Sequence, residues 1–139
     1  MTNLKEEIYL IYKKVRTIKN PDIKQKVVFN RYGWIHLSFD SRGHRRSSRD
    51  RRLRLNLFRY AHEVVRNSKC IIKETEGRIK SKRGKERSVK YYEIASICNG
   101  GKNHITVTIR KIENGNSHFW SIRRTSTKTK KALKKEGLL

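Results

Sequence analysis

Acidic side chains are what this chain has least of relative to its needs. Only 12 Asp and Glu face 36 Lys and Arg, a net charge of +24 over 139 residues. Small domains ordinarily carry a magnitude of ~2–8, and an excess this large repels itself unless an anionic partner relieves it. The few carboxylates are scattered. No DxD pair, HExxH or Walker loop occurs, so the sequence offers no motif for metal-dependent or nucleotide-driven chemistry, and no metal or other cofactor is expected. Cysteine is nearly absent too. Cys70 and Cys98 stand 28 apart without a CxxC, which argues against a disulfide framework and a zinc site. Both lie in apolar, strand-like stretches and read as small buried hydrophobes. The longest apolar run is a few residues, too short to span a bilayer. MTNLKEEIYL lacks the apolar core of a signal peptide. No internal repeat is visible. The expected location is cytoplasmic, in the producing cell or in a target cell into which the chain is delivered.

Hydrophobic residues make up 35% of the chain but are grouped periodically, which predicts a folded domain rather than a disordered basic tail. Leu4, Ile8, Ile11, Val15 and Ile18 form a helical stripe over residues 3 to 18, stopped near Asn20-Pro21. Lys26–Phe29 suits a short strand, and WIHLSF (Trp34–Phe39) alternates like one. From Ser48 to Asn67 a long helix is expected. Ser47 or Ser48 would cap it, Asp50 would sit at its positive end, and Leu53, Leu57, Tyr60 or Ala61, and Val64 would be buried. Beyond Lys69 the period becomes two, with strands expected at Lys69–Thr75, Val89–Cys98, His104–Ile112 and Ser117–Arg124. They are separated by Glu76-Gly77, a basic loop around Gly84, Asn99-Gly100-Gly101 and Asn114-Gly115. The expected class is α+β, with N-terminal helices packed on one face of a four-stranded antiparallel sheet and the other face open. One domain would fill residues 1–125, followed by a Lys-rich tail, 126–139.

A two-residue turn at Asn114-Gly115 would pair Glu113 with Asn116. Ile105, Val107 and Ile109 would then share an apolar face with Trp120 and Ile122. Thr106, Thr108 and Arg110 would share a cationic face with Phe119, Ser121 and Arg123. His118 would open the last strand on the nominal core side.

Three clusters of seven hold 21 of the 36 basic residues. The first runs from Arg42 to Arg54 and includes Arg45, Arg46 and Arg51. The second runs from Arg78 to Lys90 and includes Arg83. The third starts at Arg123 and Arg124 and continues through the tail lysines. They are nearly free of acids, which points to phosphate binding rather than a solvated mixed-sign face. An all-Arg first cluster suits bidentate grip on phosphate. A membrane surface fits less well, because no basic segment has a Trp- or Phe-rich apolar face.

Metal-free RNA cleavage needs a base for the 2′-OH, an acid for the leaving oxygen and cations for the phosphorane, all available from His, Tyr, Glu, Lys and Arg. His36 is the foremost histidine, in GWIHLSF ahead of the Arg-rich stretch. His44 sits among phosphate-binding arginines, and His62 reads as helix packing. Arg110, Ser121 and Arg123, with Thr108 beside them, form the cleanest constellation.

The GxxHL element, the Arg-bearing helix after it and the late hairpin ITVTIRKIENGNSHFWSI together resemble the BECR (barnase–EndoU–colicin–RelE) superfamily of metal-independent RNases, phage and polymorphic-toxin members above all. The resemblance spans about residues 30 to 125. It implies an active-site histidine at His36, phosphate-stabilising arginines around Arg51 or Arg54 and at Arg110, and a late serine at Ser121 with His118 beside it. The barnase-like pairing of one carboxylate with a late histidine is missing, so acid and base stay open between His36 and His118. The implied activity is a toxin-like endoribonuclease acting on tRNA or rRNA by 2′-OH transesterification, held in check by an acidic antitoxin or immunity protein. Arg45, Arg46, Arg51, Arg54, Arg83, Lys90, Arg123 and Arg124 would bind the nucleic acid. The alternative is a non-catalytic, ribosome-associated or phage or mobile-element DNA-binding protein with the same charge.

Overall fold

The computed structural model describes residues 3–68, 70–80, 82–98 and 103–137. The expected turn at 99–101 and the Cys70 side chain lie outside the described residues, and Cys98 is buried as expected. The order is α1 (Leu4–Val15), β1 (Thr17–Asn20), β2 (Gln25–Val28), α2 (Arg31–Ser38), α3 (Ser48–Phe58), α4 (Ala61–Asn67), β3 (Cys70–Lys80), β4 (Glu86–Cys98), β5 (Asn103–Ile112), β6 (Ser117–Arg124) and α5 (Thr127–Lys135). The class is α+β, but the sheet has six strands in the order β1-β2-β6-β5-β4-β3, not four. It is also mixed: β2 runs parallel to β6, through Val27↔Ser117 and Val28↔His118. The short strand expected at Lys26–Phe29 is β2, but its pairing with β6 joins segments some 90 residues apart in sequence, which no local pattern encodes.

Three expectations about the helices change. The first helix ends at Val15, and Ile18, expected on its stripe, lies in strand β1. WIHLSF lies largely in α2, not in a strand. Asn30 caps that helix by accepting from the Tyr32 N–H, and Gly33, His36 and Leu37 are buried at helical spacing. A Cβ on Gly33 would meet the Phe119 carbonyl at 2.5 Å, so glycine is what lets α2 lie against β6. The long helix breaks at Arg59-Tyr60, where the Tyr60 N–H turns back to Leu57 at 2.9 Å before α4 begins. Ser47 is the cap of α3, with its Oγ accepting from the Asp50 N–H.

The core gathers Ile8 and Tyr12 of α1, Leu57 and Phe58 of α3, and Val64 and Val65 of α4 against Ile94, Val107, Ile109, Phe119 and Ile122. Asn20 is fully buried and fully used. Its Nδ2 donates to Val65 O and Ser68 Oγ, and its Oδ1 accepts from the Asp22 and Ile23 N–H groups. The residues expected to stop a helix therefore pin the β1–β2 turn to α4.

The final hairpin corrects the face assignment. Its turn spans Ile112 to Gly115, with Glu113 at a φ of 48°. Pairing is Arg110↔His118 and Ile109↔Phe119, then shifts to Thr108↔Ser121 and Val107↔Ile122. Trp120 is the extra residue of this β-bulge. Beyond the bulge the expected faces hold. On the turn side they swap: Phe119 enters the core, while His118 and Trp120 join Arg110 on the opposite face.

That second face is not open either. Ala95, Thr106, Thr108 and Arg110 are all buried. The chain turns over it after β6, where Thr125 Oγ1 and Thr106 Oγ1 share a hydrogen bond of 2.9 Å, and the tail continues as α5 with Leu133 buried.

Candidate active site

Three residues singled out in the sequence converge on the bulge residue, Trp120. The His36 ring of α2 stacks on its indole, centroids 4.0 Å apart and planes 18° from parallel. The Arg110 guanidinium of β5 lies 3.6 Å from the same centroid. Two groups that close to one ring must occupy its opposite faces, so the indole is sandwiched between imidazole and guanidinium. His118 of β6 completes the group by accepting from Arg110 Nε at Nε2, 3.0 Å away. Tyr32 stands at the rim, its ring 5.8 Å from the Arg110 Cζ and 6.1 Å from the His118 ring.

The surroundings set the charge. Arg110 is 8% exposed, and no carboxylate pairs with it among the described residues. Burial lowers its pKa, while Tyr91 and Tyr32 favour its charge. His118 is held at about 4, by burial first and the Arg110 charge second, with an Asn116 backbone hydrogen bond pulling the other way. His36 is also held at about 4, by burial and then by Arg46, Arg54 and Arg110, partly opposed by Asp40. Both imidazoles are neutral near pH 7. Arginine only donates, so each Nε2 is an acceptor and each ring carries its proton on Nδ1.

A second layer fixes the first. Arg46 donates to His36 Nε2 at 3.1 Å and to its backbone carbonyl at 3.0 Å. Asp50 joins Arg46 and Arg54, at 3.3 and 3.0 Å. Arg54 in turn donates to Ser121 Oγ at 2.8 Å and to the Ile122 carbonyl at 3.1 Å. Ile122 lies beyond the β6 residues that pair with β2, and Arg54 gives its buried carbonyl a partner as well as holding Ser121. Arg123 pairs with Glu93 of β4. A groove of about 390 Å³ reaches Tyr32, His36 and Trp120 from solvent beside Asp40, whereas Arg110 and His118 are not among its lining residues.

The other expected phosphate ligands scatter. Arg45 is exposed in the strip before α3, where its backbone bridges Phe39. Arg51 donates to Ser48 at 3.2 Å, and its Nε is buried without a partner. Arg124 joins Arg49 and Arg52 around a separate cleft of about 550 Å³, where the first and third clusters meet. Arg83 and Lys90 sit on the β3–β4 hairpin at the far sheet edge, and much of the expected basic loop there is strand, with Arg78 opposite Ser88 and Lys80 opposite Glu86. Lys90 is already paired with Glu74 and Glu76, at 3.0 and 3.4 Å.

Sequence reasoning missed Trp120, assigned to the core, and Tyr32. It also missed Asp50 as the hub, although the Arg46, Asp50, Arg54 spacing of four is a readable signal. Among the described residues no group of three His, Cys, Asp or Glu could hold a metal ion, and no helix is long and apolar enough to cross a membrane.

No curated protein and no solved structure is detectably similar to this chain. A family model does match, over residues 1–119, so the match takes in His36, Arg110 and His118 and stops just before Trp120. This chain belongs to the large polyvalent protein-associated domain 3 (LPD3) family.

Proposed function

We propose that the chain is a metal-independent, toxin-like endoribonuclease of BECR type, binding RNA and cleaving it by 2′-OH transesterification at the Trp120 groove. The observation that carries this reading is Arg110: a nearly buried cation, braced by Trp120 and His118, with no carboxylate among the described residues to neutralise it. A phosphate is the natural complement to such a group. The net charge of +24 supplies long-range attraction for RNA.

In this reading Arg110 and Arg46 grip the scissile phosphate. Arg46 turns from His36 Nε2 to the phosphate, which frees that lone pair to take the 2′-OH proton. The 2′-oxygen attacks phosphorus and the bond to the 5′-oxygen breaks. That oxygen leaves with a proton from the Tyr32 hydroxyl, giving a 2′,3′-cyclic phosphate. His118 is a positioning residue, since its Nε2 is spent on Arg110. Arg54 holds Ser121 beside the site, and the cleft at Arg124 carries flanking phosphates. The acting location is the cytoplasm, and an acidic antitoxin or immunity protein would cover the groove.

One observation favours a second reading, a non-catalytic nucleic-acid-binding protein. His36 and His118 are only 6% and 4% exposed, as a structural polar node would be. Purified protein incubated with total tRNA and with plasmid DNA in EDTA separates the two. The enzyme reading expects tRNA cleavage with cyclic-phosphate ends, lost in His36→Ala. Binding to both polymers without cleavage at any protein concentration overturns it.

A further inference from the structure

A second groove, of about 630 Å³, runs between α1 and α2 and shares Ile35 with the His36 groove. Its walls are aromatic. Tyr9 and Trp34 stand 4.9 Å apart at 50°, with Tyr12 and Phe29 deeper. Tyr9 is 42% exposed and Ile35 46%, an unusual display of apolar surface on so charged a chain. The rim is cationic: Lys5, Lys13 and Arg31 border it, Lys13 Nζ lies 5.2 Å from the Tyr9 centroid, and Glu6 is the one acid among the lining residues.

Aromatic faces at the floor and cations at the rim are what an unpaired nucleotide requires, with the base stacked on rings and its phosphate on the lysines and arginine. A duplex keeps its bases stacked inward and cannot use such a groove. A partner helix would use the apolar walls alone and leave three like charges at the rim without a role. We propose that the α1–α2 groove binds an unpaired base of the RNA, next to the nucleotide held at Trp120. The strand would then cross the shared residue Ile35, and the protein would select single-stranded segments over duplex.

This rests on the RNA-binding reading given under Proposed function, and the test keeps the two separable. Fluorescence anisotropy is measured with a labelled single-stranded 12-mer RNA and with the same strand in a duplex, for the wild type, Tyr9→Ala and Tyr9→Phe. Tyr9 is exposed, so neither substitution should unfold the protein, and circular dichroism checks this. Wild type is expected to favour the single strand. Tyr9→Ala should weaken that binding roughly tenfold and leave the duplex unchanged, while Tyr9→Phe, which keeps the stacking face, should match wild type. Equal affinity for both RNAs with no effect of Tyr9→Ala overturns the groove assignment and leaves RNA binding standing. Failure of wild type to bind either RNA overturns both.

Discussion

At the scale of single residues, the two histidines tie the candidate site to measurable acid–base behaviour. Each has its pKa lowered to about 4 in the fold, against 6.5 for the free side chain. The unfolded chain therefore binds more protons between these values, and stability must fall as pH drops from about 6.5 towards 4, with no contribution from these groups above that window. Each imidazole accounts for up to about 3 kcal/mol. Urea unfolding near pH 7 and near pH 4.5 should show that loss, and in His118→Gln it should shrink by about half. An unchanged loss in the variant would mean that His118 titrates normally. In the proposed cleavage the same sign holds. A base that is neutral above about pH 4 predicts cleavage that rises through that pH and is flat to about pH 8, measured as initial rate on tRNA. Arg110→Lys retains the charge but not the planar stack on Trp120 or the Nε–H bond to His118. Cleavage should fall by about a hundredfold while RNA affinity changes little.

At the scale of elements, the site depends on how closely α2 approaches β6 and on where α3 begins. Gly33→Ala places a methyl 2.5 Å from a backbone carbonyl, which cannot give way as a flexible side chain would. The expected loss is about 1–3 kcal/mol in urea unfolding, with the His36–Trp120 stack disturbed. Ser47→Ala removes the cap of α3 and should cost about 1 kcal/mol. Much of this level was legible. The stripe Ile8, Ile11, Val15 marked α1, Ser47 marked a helix start, and period-two runs marked the cores of the four C-terminal strands. WIHLSF misled because its β-formers alternate over residues 34–39, while the buried positions Gly33, His36 and Leu37 of the overlapping α2 keep helical spacing. In so short a stretch, burial against β6 decides between the two periods.

At the scale of the whole molecule, salt should act in opposite directions on folding and on binding. With a net charge of +24, self-repulsion weakens the folded state, and screening relieves it. Raising NaCl from about 0.05 M to about 0.5 M should therefore raise the melting temperature and lower RNA affinity, with log K linear in log salt. Neutralising Arg49, Arg52 and Arg124 together, in the cleft between α3 and the end of β6, should flatten that slope by about 0.7 for each phosphate the cleft no longer holds. The paired Lys90 should contribute far less. An unchanged slope would remove that cleft from the binding surface.

Composition and local periodicity, which are properties of neighbouring residues, were enough to read the charge and the α+β class, whereas the roles of His36 and Arg110 came only with the family resemblance. Only the tertiary structure decided that the sheet is six-stranded and mixed, since the β2–β6 pairing joins four-residue β2, near the start of the chain, to a strand near its end. The same tertiary contacts assemble the candidate site. A one-residue bulge at Trp120 moves that indole out of the core and Phe119 into it, and no local pattern encodes a register shift. The polar group of His36, Arg110 and His118 forms around a residue that turn parity had assigned to the opposite face.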